Sequence, residues 1–246
     1  MHTRTSARGR NQHYVRSLFD SIAPRYDLLN HLLSAGIDRL WRRRAVEHLR
    51  EIHPASILDV ATGTGDLALE AARLEPSRIV AIDIAPLMLE RARKKVSAQG
   101  LSSLIRLQNA AAEALPFADG SFDGVLVAFG VRNFEHLERG LREIFRVLRG
   151  GGKIVVLEFS HPRRFPLRQL YFFYFTRILP LIGRAVSGHR EAYSYLPDSV
   201  LAFPEGEAFL RVLSNTGFEK TRFESLSFGV ATIYTGSRPG LHQGSW

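Results

Sequence analysis

Two carboxylates flank a glycine turn in Ser56-Ile-Leu-Asp-Val-Ala-Thr-Gly-Thr-Gly-Asp66, and a third ends the apolar run Ile79-Val-Ala-Ile-Asp83. The β-rich residues Ile57, Leu58 and Val60 predict a strand that carries Asp59 to its carboxyl end. Gly63 and Gly65, with Thr64 between them, let the backbone turn tightly and approach a ligand with no Cβ in the way. Asp83, at the end of the next predicted strand, can accept from both hydroxyls of a ribose in the crevice outside the strand ends. The spacing suits an adenosine.

The glycines alone leave two chemistries open. Gly63-Thr-Gly65-Asp-Leu-Ala68 also fits the dinucleotide fingerprint with Ala in its last place, which would make a nicotinamide dehydrogenase. Asp59 and Asp66 separate the readings. Carboxylates repel a pyrophosphate, whereas the aminoacyl end of S-adenosylmethionine carries an ammonium and a sulfonium that favour them. The expected cofactor is S-adenosylmethionine.

These residues need a sheet to position them. Met88, Ala92 and Val96 recur at helical spacing, Leu104 to Leu107 reads as a third strand and Gly124 to Phe129 as a fourth. Leu137, Leu141, Ile144, Phe145 and Leu148 form one helix face, which Gly150-Gly-Gly152 is expected to end before a strand from Lys153 to Phe159. Glu219 to Ser225 and Gly229 to Gly236 read as a late hairpin. Such alternation predicts an α/β, Rossmann-like, seven-stranded, mostly parallel sheet with helices on both faces, and a crevice above the first, second and fourth strands.

Length and composition bound the rest. A chain of 246 residues, 45% hydrophobic, can bury one full core, and without cysteine it has no disulfide, thiolate metal site or cysteine nucleophile. The expected organisation is a basic tail over 1–13, one domain over 14–237 and a second tail over 238–246. Within the domain a helical cover spans about 14–50 and a helical insertion about 163–203. The apolar stretches Leu170 to Phe175 and Ile178 to Ile182 are too short to span a bilayer. A formal charge of +9 invites an anionic partner, but the arginines are dispersed and no aromatic–basic motif appears, so no nucleic acid is expected. The histidines lack metal-ligand spacing, and no metal is assigned.

Four segments together resemble the menaquinone and ubiquinone biosynthesis C-methyltransferases: Tyr26-Asp-Leu-Leu-Asn30 with Ser34 and Trp41, the turn from Asp59 to Asp66, Phe129-Gly-Val-Arg-Asn133, and Arg146 to Ser160. Tyr193-Ser-Tyr195-Leu196 and Gly217-Phe218 add to the likeness, which runs from about Val15 to Gly236. It implies methylation of a ring carbon of a polyprenyl quinol, a class I methyltransferase fold, and a role for Tyr26 in covering the cofactor. It also implies Arg132 and Asn133 as the catalytic pair. Some positions depart from the family pattern. Asp38 stands where His is frequent and Gly150 where Pro is usual. Ala111 and Ala112 replace an Asp or Asn followed by Ala, with Asn109 just before, and Ala128 replaces a common Ser. Backbone groups of Ala111 and Ala112 could still serve the adenine.

The reaction sets its own demands. A quinol carbon becomes nucleophilic when the neighbouring hydroxyl ionises, and a phenol with a pKa of about 10 is almost wholly protonated at neutral pH. A guanidinium nearby could lower that pKa by about 1 to 3 units, the role expected for Arg132. The expected reaction is C-methylation of demethylmenaquinol. The alternatives are the 2-methoxy-6-polyprenyl-1,4-benzoquinol intermediate of ubiquinone biosynthesis, RNA methylation, or a noncatalytic quinone- or membrane-binding protein that keeps the fold. The expected setting is cytoplasmic, with peripheral contact at the inner face of the cell membrane, and a homodimer stays open.

Overall fold

The computed structural model describes residues 11–23, 34, 36–162, 165, 166, 168, 169, 173, 195 and 198–240. Seven strands form one sheet: β1 (Ser56–Val60), β2 (Arg78–Asp83), β3 (Ile105–Asn109), β4 (Phe122–Ala128), β5 (Leu148–Phe159), β6 (Glu219–Leu226) and β7 (Ala231–Ser237). Their order is β3-β2-β1-β4-β5-β7-β6. The first five pair in parallel, and β7 runs antiparallel to both β5 and β6, forming with β6 a hairpin whose link is four residues, 227–230. Central strands are apolar on both faces because helices cover both. β6, at the edge, leaves Phe223 exposed.

The described helices are α1 (Gln12–Ile22), α2 (Asp38–Glu47), α3 (Asp66–Ala71), α4 (Pro86–Ala98), α5 (Leu137–Val147) and α6 (Glu207–Thr216). On one face of the sheet, Leu141 and Ile144 of α5 and Phe209 and Leu213 of α6 join Val125, Val127 and Tyr234 in a single core. On the other, Trp41 and Ala45 of α2, Leu67 and Ala68 of α3 and Val96 of α4 pack on Ile57, Leu126 and Ile233. Strand order reverses on either side of β1, where the chain leads to β2 on one side and β4 lies on the other. That switch point opens a crevice at the strands' carboxyl ends.

One expected boundary moves. α5 ends at Val147 and β5 starts at once at Leu148, so Gly150 to Gly152 do not stop the helix. They form a bulge instead: Leu148 pairs with Phe122, and the next partners are Lys153 and Gly124.

The N-terminal cover is fixed at two places. Asp20 of α1 accepts from the backbone N–H of Leu87 at 2.9 Å, capping the start of α4, while Phe19 and Ile22 pack on Ala85 and Met88. In α2 the buried Asp38 accepts from Ser34 Oγ at 2.6 Å and pairs with Arg42, so this departure from the family pattern is an integrated part of the helix. Trp41 Nε1 donates to Ser227 Oγ at 2.9 Å, and Arg44 and His48 both reach Glu224, which pins α2 to the late hairpin. Most of the expected insertion, including Phe172 and Phe175, lies outside the described residues. Among those described, no helix is long and apolar enough to cross a membrane.

Candidate functional site

A cleft of about 600 Å³, measured out to its open mouth, lies at the carboxyl ends of the central strands. Val60, Ala61 and Gly63 line it from the end of β1, and Asp83, Ile84 and Met88 from β2 and the start of α4. Ala110, Ala112 and Glu113 follow β3; Phe129, Gly130, Asn133 and Phe134 follow β4. Gln12, Val15 and Phe19 of α1 close the remaining side as one helical stripe.

The walls come unusually close where the loops after β1 and β4 meet. Ala61 and Phe129, neither of them glycine, hold left-handed backbone at φ +55° and +56°. A Cβ at Gly130 would lie 2.6 Å from the Cβ of Ala61, so only glycine fits between the loops. Strained backbone of this kind persists where surrounding structure imposes it, and both strained residues line the cleft.

Asp83 fills its predicted place. Its Oδ2 accepts from the N–H of Gly63 and its Oδ1 from that of Ala85, each at 2.8 Å. A carboxylate has about four acceptor sites, so capacity for ribose hydroxyls remains on the cleft side. Burial pushes its pKa up to about 6, against the backbone donors that favour the charged form. Asp59 is buried completely and does not line the cleft. Thr62 Oγ1 donates to its Oδ2 at 2.5 Å, while its Oδ1 has no hydrogen-bond partner among the described residues. Burial, with Asp83 nearby, drives its pKa to about 7. A buried carboxylate with an orphaned oxygen is costly when ionised, and a cation in the adjacent cleft would relieve that cost. These groups fit the ribose and the cationic aminoacyl end of S-adenosylmethionine.

The other predicted cofactor residues divide. Gly63, at φ +57°, lines the cleft, and so does the buried Ala112. Thr64 is buried beside Lys95, whose Nζ donates to its Oγ1 at 3.0 Å, and Gly65 starts α3 at φ +87°. Neither lines the cleft, and nor do Ala111 and Ala128; the adjacent residues Ala110, Phe129 and Gly130 do. Asn109 donates to the carbonyl of Asp83 at 2.8 Å, bracing the end of β2. Tyr26 lies outside the described residues. Asp66 requires a correction: it sits in the first turn of α3, 2.6 Å from Lys95 Nζ and 4.0 Å from Arg42, so its charge is matched away from the cleft.

Arg132 also differs from expectation. Its side chain is 5% exposed, with Nη1 2.5 Å from Glu158 and 2.6 Å from the carbonyl oxygen of Phe129, and Nε donates to Ser199 Oγ at 3.3 Å. It lies over the ring of Phe159 at 5.4 Å and does not line the cleft. A guanidinium paired with a wholly buried carboxylate presents little net charge to a phenol. Asn133, its neighbour in the short turn after β4, does line the cleft, and its Oδ1 accepts from Tyr195 Oη at 3.0 Å. Tyr195 also meets Tyr14 of α1 edge-on at 6.0 Å, joining the cover to the rim.

Residue spacing did not point to Gln12, Val15, Phe19 or Glu113. Val15 and Phe19 stand four apart at an amphipathic start, a signal for a buried helix face but not for a ligand. Glu113 directly follows the Ala111-Ala112 pair, and the lack of an acidic group at position 111 is the signal that points one residue further.

The sequence model of the ubiE/COQ5 methyltransferase family matches residues 7–238. A demethylmenaquinone methyltransferase of Thermus thermophilus is 51% identical over 223 residues, covering 90% of this chain and all of the relative. One of Bacteroides fragilis is 45% identical over 231 residues, 94% of each chain. A ubiquinone/menaquinone biosynthesis C-methyltransferase UbiE of a Geobacter species is 50% identical over 226 residues, 91% of this chain and 96% of its own. Among solved structures, the [4+2]-cyclase SpnF superposes with a TM-score of 0.67 at 20% identity, covering 94% of this chain and 97% of that one. A Thermotoga maritima S-adenosylmethionine-dependent methyltransferase gives 0.64 at 19% identity, covering 90% and 99%. These two likenesses establish the class I fold alone, and the cyclase illustrates that the fold does not dictate the reaction. The sequence matches do more: the chain belongs to the ubiE/COQ5 methyltransferase family and is an S-adenosylmethionine-dependent methyltransferase.

Proposed function

We propose that the protein methylates the ring carbon of demethylmenaquinol. The observation that carries this reading is its similarity, over 90% and 94% of the chain, to the Thermus and Bacteroides proteins that bear the demethylmenaquinone methyltransferase name, joined to a cleft whose β1–β2 side suits the cofactor and whose β4 side offers Asn133. The ubiquinone precursor is the second reading, supported by the Geobacter relative's double name.

The cofactor supplies an electrophilic methyl group on a sulfonium. The protein must hold the quinol so that its carbon lies in line with that group, and such alignment is worth several orders of magnitude in rate. Asn133, fixed by Tyr195, is the side chain that orients the quinol hydroxyl. With S-adenosylmethionine bound, its sulfonium would supply the methyl group to the ring carbon that Asn133 holds in line with it, and the two protons released, from the hydroxyl and from the ring carbon, would pass to solvent. Arg132 acts as a positioning residue: with Glu158 and the Phe129 carbonyl it fixes the turn that presents Asn133. Val60, Phe129 and Phe134 exclude water from the reacting atoms.

A polyprenyl tail needs apolar cover beyond this cleft. Peripheral contact with the cell membrane is therefore part of the reading, supported by the exposed Phe165 and Phe173 of the insertion and by the formal charge of +9. The decisive assay incubates the protein with methyl-labelled S-adenosylmethionine and, in parallel, demethylmenaquinol, the ubiquinone precursor and RNA. Label in the menaquinol product supports the proposal. Label only in the benzoquinol transfers the reading to ubiquinone synthesis, and binding without label would leave a noncatalytic protein.

A further inference from the structure

Strand order reads out the ligand along the cleft. From β4 through β1 to β2, the lining residues Asn133, Gly63 and Asp83 run from the reacting end to the ribose acceptor, so the base belongs with the residues that follow β3. There the family pattern offers an acidic or amide side chain, and this chain has Ala111, which does not line the cleft. The adenine amino group, with two protons to donate, would meet only backbone from the alanine pair. One residue on, however, stands Glu113, buried and lining the same wall.

Glu113 is held in place from α1 and from the start of α5. Gln12 of α1 donates its amide nitrogen to Oε2 at 3.0 Å, the N–H of His136 approaches Oε1 at 3.4 Å, and Arg139 Nε donates to the backbone carbonyl of Glu113 at 3.0 Å. Gln12 lines the cleft as well. Because its amide nitrogen faces the carboxylate, its carbonyl oxygen remains an acceptor. The Glu113 carboxylate, with about four acceptor sites, retains capacity beyond the two donors that approach it.

We infer that the Gln12–Glu113 pair, bridging the N-terminal helix and the loop after β3, recognises the amino group of adenine in place of the missing side chain at position 111. The assignment rests on the S-adenosylmethionine reading of the cleft. Base recognition then draws on α1 as well as on the loop after β3.

The test is calorimetric binding of S-adenosylhomocysteine and of S-inosylhomocysteine, whose ring carbonyl replaces the amino group. The unaltered protein should bind the adenosyl compound at least about tenfold more tightly, since acceptors facing a carbonyl lose their partner. Gln12→Ala and Glu113→Gln should each shrink that ratio severalfold, chiefly by weakening the adenosyl compound. Gln12→Ala is the safer variant for folding, as its side chain is half-buried at the first turn of α1, and thermal melting checks both. A ratio unchanged in both folded variants would overturn the assignment. Failure of the unaltered protein to bind either compound would instead overturn the cofactor reading on which it rests.

Discussion

The two sides of the cleft hold their charges in opposite ways. On the β1–β2 side, Asp59 and Asp83 are buried carboxylates without a paired side-chain cation among the described residues, and one oxygen of Asp59 has no hydrogen-bond partner among them. Past β4, Arg132 and Glu158 are equally buried, but each is matched by the other and by further hydrogen bonds. The first side is electrostatically incomplete and the second is complete in itself. An incomplete site gains from a charged ligand, whereas a satisfied pair holds a shape. Cofactor affinity should therefore depend on the charges near β1 and β2, and geometry for the second substrate on the scaffold beyond β4.

The largest effect should come from breaking the completed pair. Glu158→Ala leaves the Arg132 guanidinium buried without its partner, a loss of about 3–5 kcal/mol of folding stability by urea unfolding. The double variant Arg132→Met/Glu158→Leu removes both charges and should recover most of that loss. Its cofactor affinity should stay near that of the unaltered protein, while turnover falls because the turn bearing Asn133 has lost its anchor. If turnover of this double variant recovers at high pH, Arg132 instead favours the ionised quinol through its charge, and the contrast between the two sides is wrong.

Next is Asp83→Ala. Loss of its acceptors to the ribose should weaken S-adenosylhomocysteine binding by roughly 1.5–3 kcal/mol. The variant also releases the N–H groups of Gly63 and Ala85, so a lowered melting temperature accompanies the weaker binding. Unchanged calorimetric affinity would remove Asp83 from the ribose.

A smaller, graded effect follows from pH. The ordinary aspartate value of 3.8 is raised in the folded protein to about 7 at Asp59 and about 6 at Asp83, in each case first by burial. The folded state thus binds these protons more tightly than the unfolded state. The stability this gives is fully present below about pH 4 and is lost as pH rises through 6 and 7. A bound ammonium and sulfonium favour the ionised carboxylates, so binding releases protons. Affinity should then rise between about pH 5.5 and 7.5, by at most about tenfold per pH unit for each proton released. Calorimetry in two buffers of different ionisation enthalpy counts those protons, and Asp59→Asn should reduce the count. A pH-independent affinity with no proton release would show that Asp59 and Asp83 are already ionised in the free protein.

What the sequence disclosed follows the range of each interaction. The strands, the glycine turn and the positions of Asp59 and Asp83 are local features, and apolar periodicity with a tight turn is enough to locate them. The late hairpin was legible for the same reason. Gly150 to Gly152 misled because a helix stop and a strand bulge both call for glycine. The partners that decide what a charge does were not legible. Glu158 lies 26 residues from Arg132, Lys95 lies 29 from Asp66 and Gln12 lies 101 from Glu113, separations that only the assembled sheet brings together. The family likeness implies Arg132 and Asn133 as the catalytic pair; of the two, only Asn133 lines the cleft.

The smallest expected effect belongs to Asp66, and it is the most direct check on how charge is assigned near the glycine turn. Its proximity to the turn in sequence suggests attraction for the cofactor's cationic end. Its position in α3 gives that charge to Lys95 and, at 4.0 Å, to Arg42. The pair with Lys95 is partly exposed, 27% and 28% at the two side chains, so solvent screens it and its worth is about 0.2–1 kcal/mol of stability. Asp66→Asn should therefore lower the melting temperature slightly and change S-adenosylhomocysteine affinity by no more than about twofold. A loss as large as that from Asp83→Ala would mean that the carboxylate acts on the ligand despite its partners. Carboxylates near the turn would then attract the cofactor by proximity alone, whether or not the fold has already matched their charge.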